Sequence, residues 1–170
     1  MRLFGPVLAA LIVAALLSPA PAAANEQLVA FPQSAYRPGT IVIRTSERRL
    51  YLVLPGGQAL RYPVGVGKTG KQWQGVRRIV AKFIKPAWSP PPEVKRDIPS
   101  LPDLIPGGIP SNPMGAAAMV LTGGDIAIHG TNRPNSVGGF VSYGCIRMYN
   151  ADVLSLYRRV AVGTTVVVLR

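Results

Sequence analysis

Two side chains of this sequence, a cysteine and a histidine, have the right types for nucleophilic chemistry. The chain has one of each, Cys145 and His129. A free thiol titrates near pKa ~8.5, so it needs a neighbouring base to become a nucleophile at neutral pH. His129 is the only imidazole that could be that base. On residue types alone, an inert cysteine and a structural histidine explain these positions equally well.

The segments around the two residues favour exposure. Cys145 follows the flexible pair Gly138-Gly139, where the backbone can bend sharply and present the sulfur together with several N–H groups. His129 ends a predicted strand over 125–129, and Gly130 begins a loop. A loop that leaves a rigid strand is a common position for catalytic side chains. We therefore expect an accessible thiol and an accessible imidazole.

A carboxylate that would orient the imidazole is not evident in the sequence. Asp125 resembles the acidic member of a catalytic triad, but four residues along a strand span about 13 Å, which is too far from the His129 ring. The orienting acceptor is therefore expected from another segment, and a backbone carbonyl is one candidate.

The composition excludes several classes of protein. One Cys and one His exclude a zinc site with three or four nitrogen or sulfur ligands, and they exclude an internal disulfide. We expect no metal and no organic cofactor. A length of 170 residues predicts one domain, and a hydrophobic content of 48% excludes a disordered chain. A charged content of 15% is too low for a coiled coil.

A glycine-rich segment at 65–70 matches the G-x-G-x-x-G spacing of dinucleotide-binding loops. That motif requires a helix that begins at the glycines, and the following residues have no amphipathic pattern. A phosphate-binding loop fails as well, because Tyr62 occupies the position of its first glycine. We interpret the segment as a turn between strands.

The first 24 residues are typical of a secretory signal peptide. Arg2 gives a positive start, residues 3–17 are apolar, and Ala22-Ala23-Ala24 forms a small-residue cleavage site before Asn25. The apolar run is shorter than a membrane span, so we expect no span after cleavage and export to the periplasm or cell wall. The sequence makes no prediction of oligomeric state.

The net charge of +12 predicts an anionic partner. For an exported protein this is more plausibly a carboxylate-rich polymer outside the membrane than a nucleic acid, so we expect no nucleic-acid binding. The cationic residues are spread along the chain, and a solvated surface remains the default explanation.

The elements that must position these residues are mostly strands. We expect residues 25–39 to form a polar N-terminal segment and residues 88–113, rich in proline and glycine, to form an extended surface loop. One helix is predicted with Asn150 as its N-cap and Gly163 at its end. The fold class is therefore mainly β, as a sandwich or barrel-like domain with few short helices. The predicted strands cover residues 40–44, 49–54, 59–66, 77–85, 119–121, 125–129 and 164–169.

The segments His129-Gly-Thr-Asn132 and Ser142-Tyr-Gly-Cys-Ile-Arg-Met148 together resemble the signature of the YkuD-type L,D-transpeptidases, cysteine enzymes of the bacterial cell wall. The resemblance extends over most of residues 40–170, which we take as the catalytic domain. Two positions depart from the family pattern. Tyr143 stands where many members have a histidine, and Trp73-Gln74-Gly75 replaces the usual Thr-Pro-x-Gly turn.

The resemblance implies a mechanism and a role for each site residue. It implies that the Cys145 thiolate attacks a peptidoglycan stem tetrapeptide and that His129 moves the protons. Backbone amides of Tyr143, Gly144 and Cys145 would form the oxyanion hole. Ser142 would orient His129 or the cysteine loop by hydrogen bonding. Further roles in substrate binding are implied for Arg147, Gly130, Thr131 and Asn132, and Arg147 alternatively fixes the cysteine loop or forms a surface ion pair.

Three other functions remain open on the sequence. Water as the acceptor would make the protein an L,D-carboxypeptidase, and acceptor choice depends on loop shape. A non-catalytic module could bind anionic peptidoglycan with its basic surface. A thiol redox protein is disfavoured, because no second cysteine is present to resolve a mixed disulfide.

Overall fold

The computed structural model describes residues 24–32 and 35–170, so the predicted signal peptide, apart from Ala24, lies outside the described residues. The described residues form eleven strands, two helices and one short 3-10 turn at Pro134–Ser136. The strands are β1 (Gln27–Ala30), β2 (Ile41–Arg44), β3 (Arg49–Leu54), β4 (Gln58–Pro63), β5 (Val66–Gly67), β6 (Gly75–Ile84), β7 (Ala117–Leu121), β8 (Ala127–His129), β9 (Phe140–Ser142), β10 (Ile146–Arg147) and β11 (Thr165–Leu169). The helices are α1 (Pro92–Asp97) and α2 (Asn150–Arg159).

Nine strands form one curled sheet in the order β1-β4-β3-β2-β11-β6-β7-β8-β10. The last strand in the chain, β11, lies at the centre, parallel to β2 and antiparallel to β6. A separate pair of short strands, β5 and β9, brings the glycine segment beside the segment that leads to Cys145. The prediction of a mainly β fold with few short helices is confirmed.

The main core lies between the sheet and α2. Alternate residues of the strands point into it, as the period of two in a half-buried sheet requires. Leu50 and Leu52 of β3 and Val153 and Leu156 of α2 are among its members, each at most 3% exposed. Since α2 follows β10 directly, this packing also fixes the end of the strand pair that carries the site.

The residues predicted as a polar N-terminal segment contain a strand. β1 pairs antiparallel with β4, and Val29 and Phe31 pack against Tyr51 on the outer face of the sheet. The pattern was missed because β1 is an edge strand of four residues with little buried surface, so its alternation is weak.

The proline-rich segment is also more ordered than predicted. We expected only an extended loop over 88–113, but α1 occupies residues 92–97. Pro92 at the first helical position is compatible with a helix, because its missing N–H would have no intrahelical partner there. No helix begins at the glycine segment at 65–70, but the interpretation as a turn holds only for its end, since Val66 and Gly67 form β5 and the turn covers residues 69–70.

The start of α2 differs by one residue from its prediction. Tyr149 is the N-cap and makes no capping hydrogen bond through its side chain. Asn150, the predicted cap, is the first helical residue, and its side chain instead bonds to the loop that follows His129. The tertiary contacts of the amide group therefore replaced its local capping role. Among the described residues, no helix is long and apolar enough to cross a membrane.

Candidate active site

The cysteine and the histidine lie on neighbouring parallel strands at one end of the sheet. β8 and β10 pair with Ile128 beside Ile146 and His129 beside Arg147. Both isoleucines point into the core and are at most 1% exposed. Since side chains alternate along a strand, His129, Arg147 and Cys145 point to the opposite face. The register and strand spacing leave about 8 Å between the Cα atoms of His129 and Cys145.

The His129 ring is held by the backbone next to it. Its Nδ1 lies 2.6 Å from the carbonyl oxygen of Gly130. A carbonyl only accepts, so Nδ1 carries the proton and Nε2 is the unprotonated nitrogen. The carbonyl of the next residue therefore orients the ring, and the carbonyl of Pro113, which belongs to another segment, contacts it as well. The carboxylate of Asp125 plays no part in it.

His129 is less accessible than predicted. The residue is 4% exposed, because the loops on both sides of the strand end close over it. Burial and the nearby Arg147 guanidinium together lower the pKa of the imidazole to about 4, although the carbonyls of Gly130 and Pro113 oppose the shift. At neutral pH the ring is therefore uncharged and able to accept a proton at Nε2.

Cys145 is partly exposed at the end of a tight loop. Its Sγ lies 4.0 Å from the backbone carbonyl oxygen of Asp125. Burial of the sulfur raises the pKa of the thiol, and contacts with the Ala127 backbone and Arg147 oppose the rise. In this conformation the pair is a neutral thiol and a neutral imidazole, not a preformed ion pair.

The loop before Cys145 is fixed by three hydrogen bonds. The Ser142 hydroxyl donates to the Cys145 carbonyl over 2.6 Å and accepts from the Gly144 amide over 3.0 Å. The indole N–H of Trp73 donates to the Gly144 carbonyl over 2.9 Å. Gly144 has φ +122°, a conformation that a side chain would strain. Ser142 therefore contacts the cysteine loop, and the Gly144 N–H that we expected in an oxyanion hole is already engaged.

Sequence reasoning missed Trp73 as a support of this loop. The tryptophan lies 71 positions before Gly144, and no local pattern links the two. The only signal in the sequence was that Trp73-Gln74-Gly75 replaces the family's usual Thr-Pro-x-Gly turn.

Arg147 places a cation beside the pair. Its side chain is half-buried, and its Nε has no hydrogen-bond partner among the described residues. No ion pair within the described ranges involves it, so the surface ion pair considered from the sequence is not formed. Burial lowers the pKa of the guanidinium. An anionic group of a bound molecule would complete this site.

The loop after His129 is fastened to α2 by Asn150. The Asn150 Oδ1 accepts from the Thr131 amide over 3.1 Å, and its Nδ2 donates to the Thr131 carbonyl over 3.0 Å. A Cβ on Gly130 would lie 2.3 Å from the same Oδ1, so this position requires glycine. Thr131 is buried, whereas Asn132 is exposed and donates to the Ser111 carbonyl over 2.9 Å. Gly130 and Thr131 are thus placed as parts of the loop that holds the imidazole.

Helix α1 lies against the cysteine loop through charged contacts. The Tyr143 hydroxyl donates to Asp97 over 2.5 Å, and Lys68 approaches the same carboxylate at 3.8 Å. Lys71 pairs with Glu93 one turn earlier in the helix. Tyr143, the position that departs from the family pattern, thereby connects α1 to the residues next to Cys145.

The described residues include no group of three or more His, Cys, Asp or Glu side chains that could hold a metal ion. The arrangement provides a thiol, an unprotonated imidazole nitrogen, backbone amides at a sharp turn and a guanidinium. These are the components of acyl transfer through a cysteine.

Comparison with known sequences gives consistent results. Residues 38–168 match the family model described as YkuD, L,D-transpeptidase catalytic domain. The Escherichia coli protein named Probable L,D-transpeptidase ErfK/SrfK is 37% identical over 151 residues, which is 81% of this chain and 47% of that protein. The E. coli protein named Probable L,D-transpeptidase YbiS is 36% identical over 79% of this chain and 47% of its own length. The chain thus spans about half the length of these curated relatives.

Solved structures share the fold. L,D-transpeptidase 3 from Mycobacterium tuberculosis superimposes with a TM-score of 0.60 at 15% identity, over 77% of this chain and 60% of that one. A Brucella melitensis crystal structure, described as that of a Probable carnitine operon oxidoreductase caia, is 44% identical with a TM-score of 0.56, over 85% of this chain and 93% of that one. The description of the Brucella protein names a different activity. The match of the family model to most of the chain places this protein in the YkuD family of L,D-transpeptidase catalytic domains.

Proposed function

We propose that this protein is an exported L,D-transpeptidase that crosslinks peptidoglycan stem peptides, or attaches another amine to them, through a thioester on Cys145. One observation carries the proposal. The only cysteine and the only histidine of the chain point to the same face of two paired strands, with Arg147 beside them. Family membership supports the same reaction class.

The donor step begins with proton transfer from the Cys145 thiol to Nε2 of His129. The sulfur then attacks the carbonyl carbon that joins an L-centre to the terminal D-alanine of a stem tetrapeptide. The tetrahedral intermediate collapses when the C–N bond breaks, and the imidazolium gives its proton to the leaving amine. D-Alanine leaves, and a thioester remains on Cys145.

Backbone amides stabilise the oxyanion of this intermediate. We expected the amides of Tyr143, Gly144 and Cys145 to do so, but Gly144 donates to Ser142. The amides of Tyr143 and Cys145 are then the donors in this conformation. The three hydrogen bonds that hold the loop keep both amides in a fixed direction, which is what such donors require.

Arg147 binds an anionic group of the substrate in this proposal. Stem peptides carry carboxylates, and the guanidinium has a buried Nε without a hydrogen-bond partner among the described residues. A charge-assisted hydrogen bond to a carboxylate would position the donor peptide.

The acceptor step reverses the first one. An amine of a second stem peptide attacks the thioester, His129 removes the proton of the amine, and the thiol leaves with a proton from the imidazolium. Water in place of the amine gives an L,D-carboxypeptidase. The location in the periplasm or cell wall follows from the predicted leader and the substrate.

The test is incubation with purified tetrapeptide muropeptides followed by mass spectrometry. Crosslinked dimers are expected, with loss of D-alanine. Monomeric tripeptides would replace the proposal by the carboxypeptidase. No reaction, together with wall binding that survives Cys145→Ala, would replace it by a non-catalytic binding module.

Carbapenem trapping identifies the nucleophile. The intact protein should gain the mass of one carbapenem, and the Cys145→Ala variant should gain none. His129→Gln should react at least about 100-fold more slowly. Val162→Ala, a change at an exposed position outside the site, is the control and should react like the parent. An unchanged mass of the parent protein would contradict the acyl-enzyme.

A further inference from the structure

One oxygen of a buried carboxylate in α2 has no hydrogen-bond partner among the described residues. Asp152 is 0% exposed, and its Oδ2 has no hydrogen-bond partner among the described residues. No lysine, arginine or histidine of the described ranges forms an ion pair with it. Burying a carboxylate without a cationic partner lowers the stability of a fold. Accordingly, burial raises the pKa of Asp152.

The group nearest to this carboxylate is the backbone nitrogen of Asn25. It lies 2.5 Å from Oδ1 of Asp152. The next residue, Glu26, is held by the Tyr62 hydroxyl at 2.8 Å and by Arg159 at 2.8 Å, and it also accepts from Ser155. Asn25 is therefore kept against α2 by its own neighbour, with its nitrogen directed at the buried acid.

Asn25 is also the residue that follows the predicted cleavage site Ala22-Ala23-Ala24. As an internal residue, Asn25 offers Asp152 one uncharged backbone N–H and the uncharged amide of its side chain. As a chain terminus it would offer three N–H groups and a positive charge at the same place. These additional N–H groups could also reach Oδ2 of Asp152, the carboxylate oxygen that has no partner among the described residues.

We propose that removal of residues 1–24 creates an α-ammonium on Asn25 that forms a buried ion pair with both carboxylate oxygens of Asp152. In this step, water hydrolyses the Ala24–Asn25 peptide bond at the active site of a leader-removing endopeptidase of the exporting cell. Ala24 keeps the new carboxylate, and Asn25 keeps the new amine, which takes up a proton from solvent. The inference shares the proposed export of the chain but does not depend on the chemistry of Cys145.

The surrounding charges are compatible with this pairing. Glu26 adds a second negative charge and is itself paired with Arg159. Arg49 and Arg61 line the open depression beside Asn25, but they donate to the carbonyl of Arg48 and to the side chain of Gln27. Asp152 also lies in the first turn of α2, where the helix dipole favours an anion.

The ion pair would act on the candidate site through α2. Asp152 lies two residues after Asn150, whose side chain fastens the loop of Thr131 behind His129. The strand that follows Cys145 ends at Arg147, and two residues separate it from the start of this helix. Leader removal would therefore stabilise the part of the fold that holds the imidazole, and only the processed protein would have it fully fastened.

The first experiment determines where the processed chain begins. The full chain of 170 residues is exported in a Gram-negative host, and the mature protein is analysed by intact mass and N-terminal peptide sequencing. Asn25 is the expected first residue. A different first residue, or a chain that retains its leader, overturns the inference.

The second experiment measures the stability that the ammonium supplies. Three chains are compared by urea denaturation at pH 7. They are residues 25–170 with a free terminus, the same chain acetylated at Asn25, and residues 24–170. The free chain should have an unfolding equilibrium constant about tenfold or more below those of the other two. Equal constants would overturn the ion pair while leaving export and the proposed activity untouched.

A variant and its control assign the effect to Asp152. In Asp152→Asn the three chains should have the same stability, because the amide has no charge to pair. In Asp103→Asn the difference should persist, because Asp103 pairs with Lys95 away from α2 and from the terminus. A difference that persists in Asp152→Asn contradicts the pairing.

Carbon-13 NMR of the Asp152 carboxyl group gives a readout that needs no variant. Its pKa should be lower in the free chain than in the acetylated chain, since a cation at this place favours the carboxylate. Equal pKa values in the two chains would overturn the inference.

Discussion

His129 and Cys145 are both neutral in the resting site, and this follows from their burial. The pKa of the imidazole lies at about 4, and the pKa of the thiol is raised. The site therefore holds a proton on the sulfur and an unprotonated acceptor on the imidazole nitrogen. A resting thiol of this kind is protected from adventitious oxidation and alkylation, which act on thiolates.

The buried imidazole should make folding sensitive to mild acid. The pKa of His129 is about 4 in the folded protein and near 6.5 in the unfolded chain. Between these values the unfolded chain binds a proton that the folded protein does not, so stability is complete above pH ~6.5 and falls as the pH drops to ~4. The expected loss is about 3 kcal/mol of the free energy of unfolding. Urea denaturation from pH 7.5 to 4 measures it.

His129→Gln is the control for this acid loss, since glutamine cannot titrate. Its stability should change with pH by about 3 kcal/mol less than that of the parent over the same interval. Identical pH profiles of the two proteins would show that the imidazole is not held neutral.

At the residue scale, the sequence indicated the two candidate reacting groups but not the residues that support them. Cys145 and His129 are unique in the chain and carry recognisable neighbours, so they could be named. Trp73 and Asn150 could not, because each acts on a backbone group brought near by the fold. The accessibility of His129 was predicted wrongly, since a strand end followed by glycine does not reveal which other loops close over it.

Among the elements, α1 contacts the loop that leads to Cys145 through the side chain of Tyr143. This short helix buries none of its residues and has few intrahelical bonds, so its position depends on its contacts with Lys68, Lys71 and Tyr143. Exposed ion pairs of this kind contribute little individually. The helix should therefore leave the cysteine loop readily.

Weakening this contact should expose the thiol. Asp97→Asn removes the charge that Tyr143 and Lys68 contact, and alkylation of Cys145 by iodoacetamide at pH 8 should become about two- to fivefold faster. Asp103→Asn is the matched control, because Asp103 pairs with Lys95 inside the same segment. Its alkylation rate should equal that of the parent. Unchanged rates in both variants would mean that α1 does not restrict access.

Strands could be predicted from the sequence where their alternating hydrophobic pattern matches the alternating burial of their side chains. The strands on both sides of the core alternate clearly, and the predicted ranges overlap β2, β3, β4, β6, β7, β8 and β11. The two-residue strands β5 and β10 are too short to show a period. Helix α1 was missed because its residues are polar and proline-rich, and because its position depends on charges that lie elsewhere in the chain.

At the scale of the whole molecule, β11 connects the two halves of the main sheet. It joins the sheet half made by β1 to β4 to the half that carries the site. Val166 and Val168 point into the main core and are at most 1% exposed, whereas Val167 points to the other face and is only partly buried.

Two isosteric substitutions should separate these faces. Val168→Thr places a hydroxyl in the core and should lower the free energy of unfolding by about 1–3 kcal/mol. Val167→Thr should lower it by less than about 0.5 kcal/mol, because threonine is well accommodated in strands and the position reaches solvent. Urea denaturation of both variants at one pH is the measurement. Equal losses would contradict the assigned orientation of β11.

The central place of β11 also determines when the protein can fold. The strand is the last of the eleven in chain order, and both of its neighbours come much earlier. While the chain is being synthesised, β2 and β6 each have one unpaired edge. Both edges gain their hydrogen-bond partner only when residues 165–169 have been made. The polypeptide consequently cannot complete its main sheet until almost all of it has been synthesised.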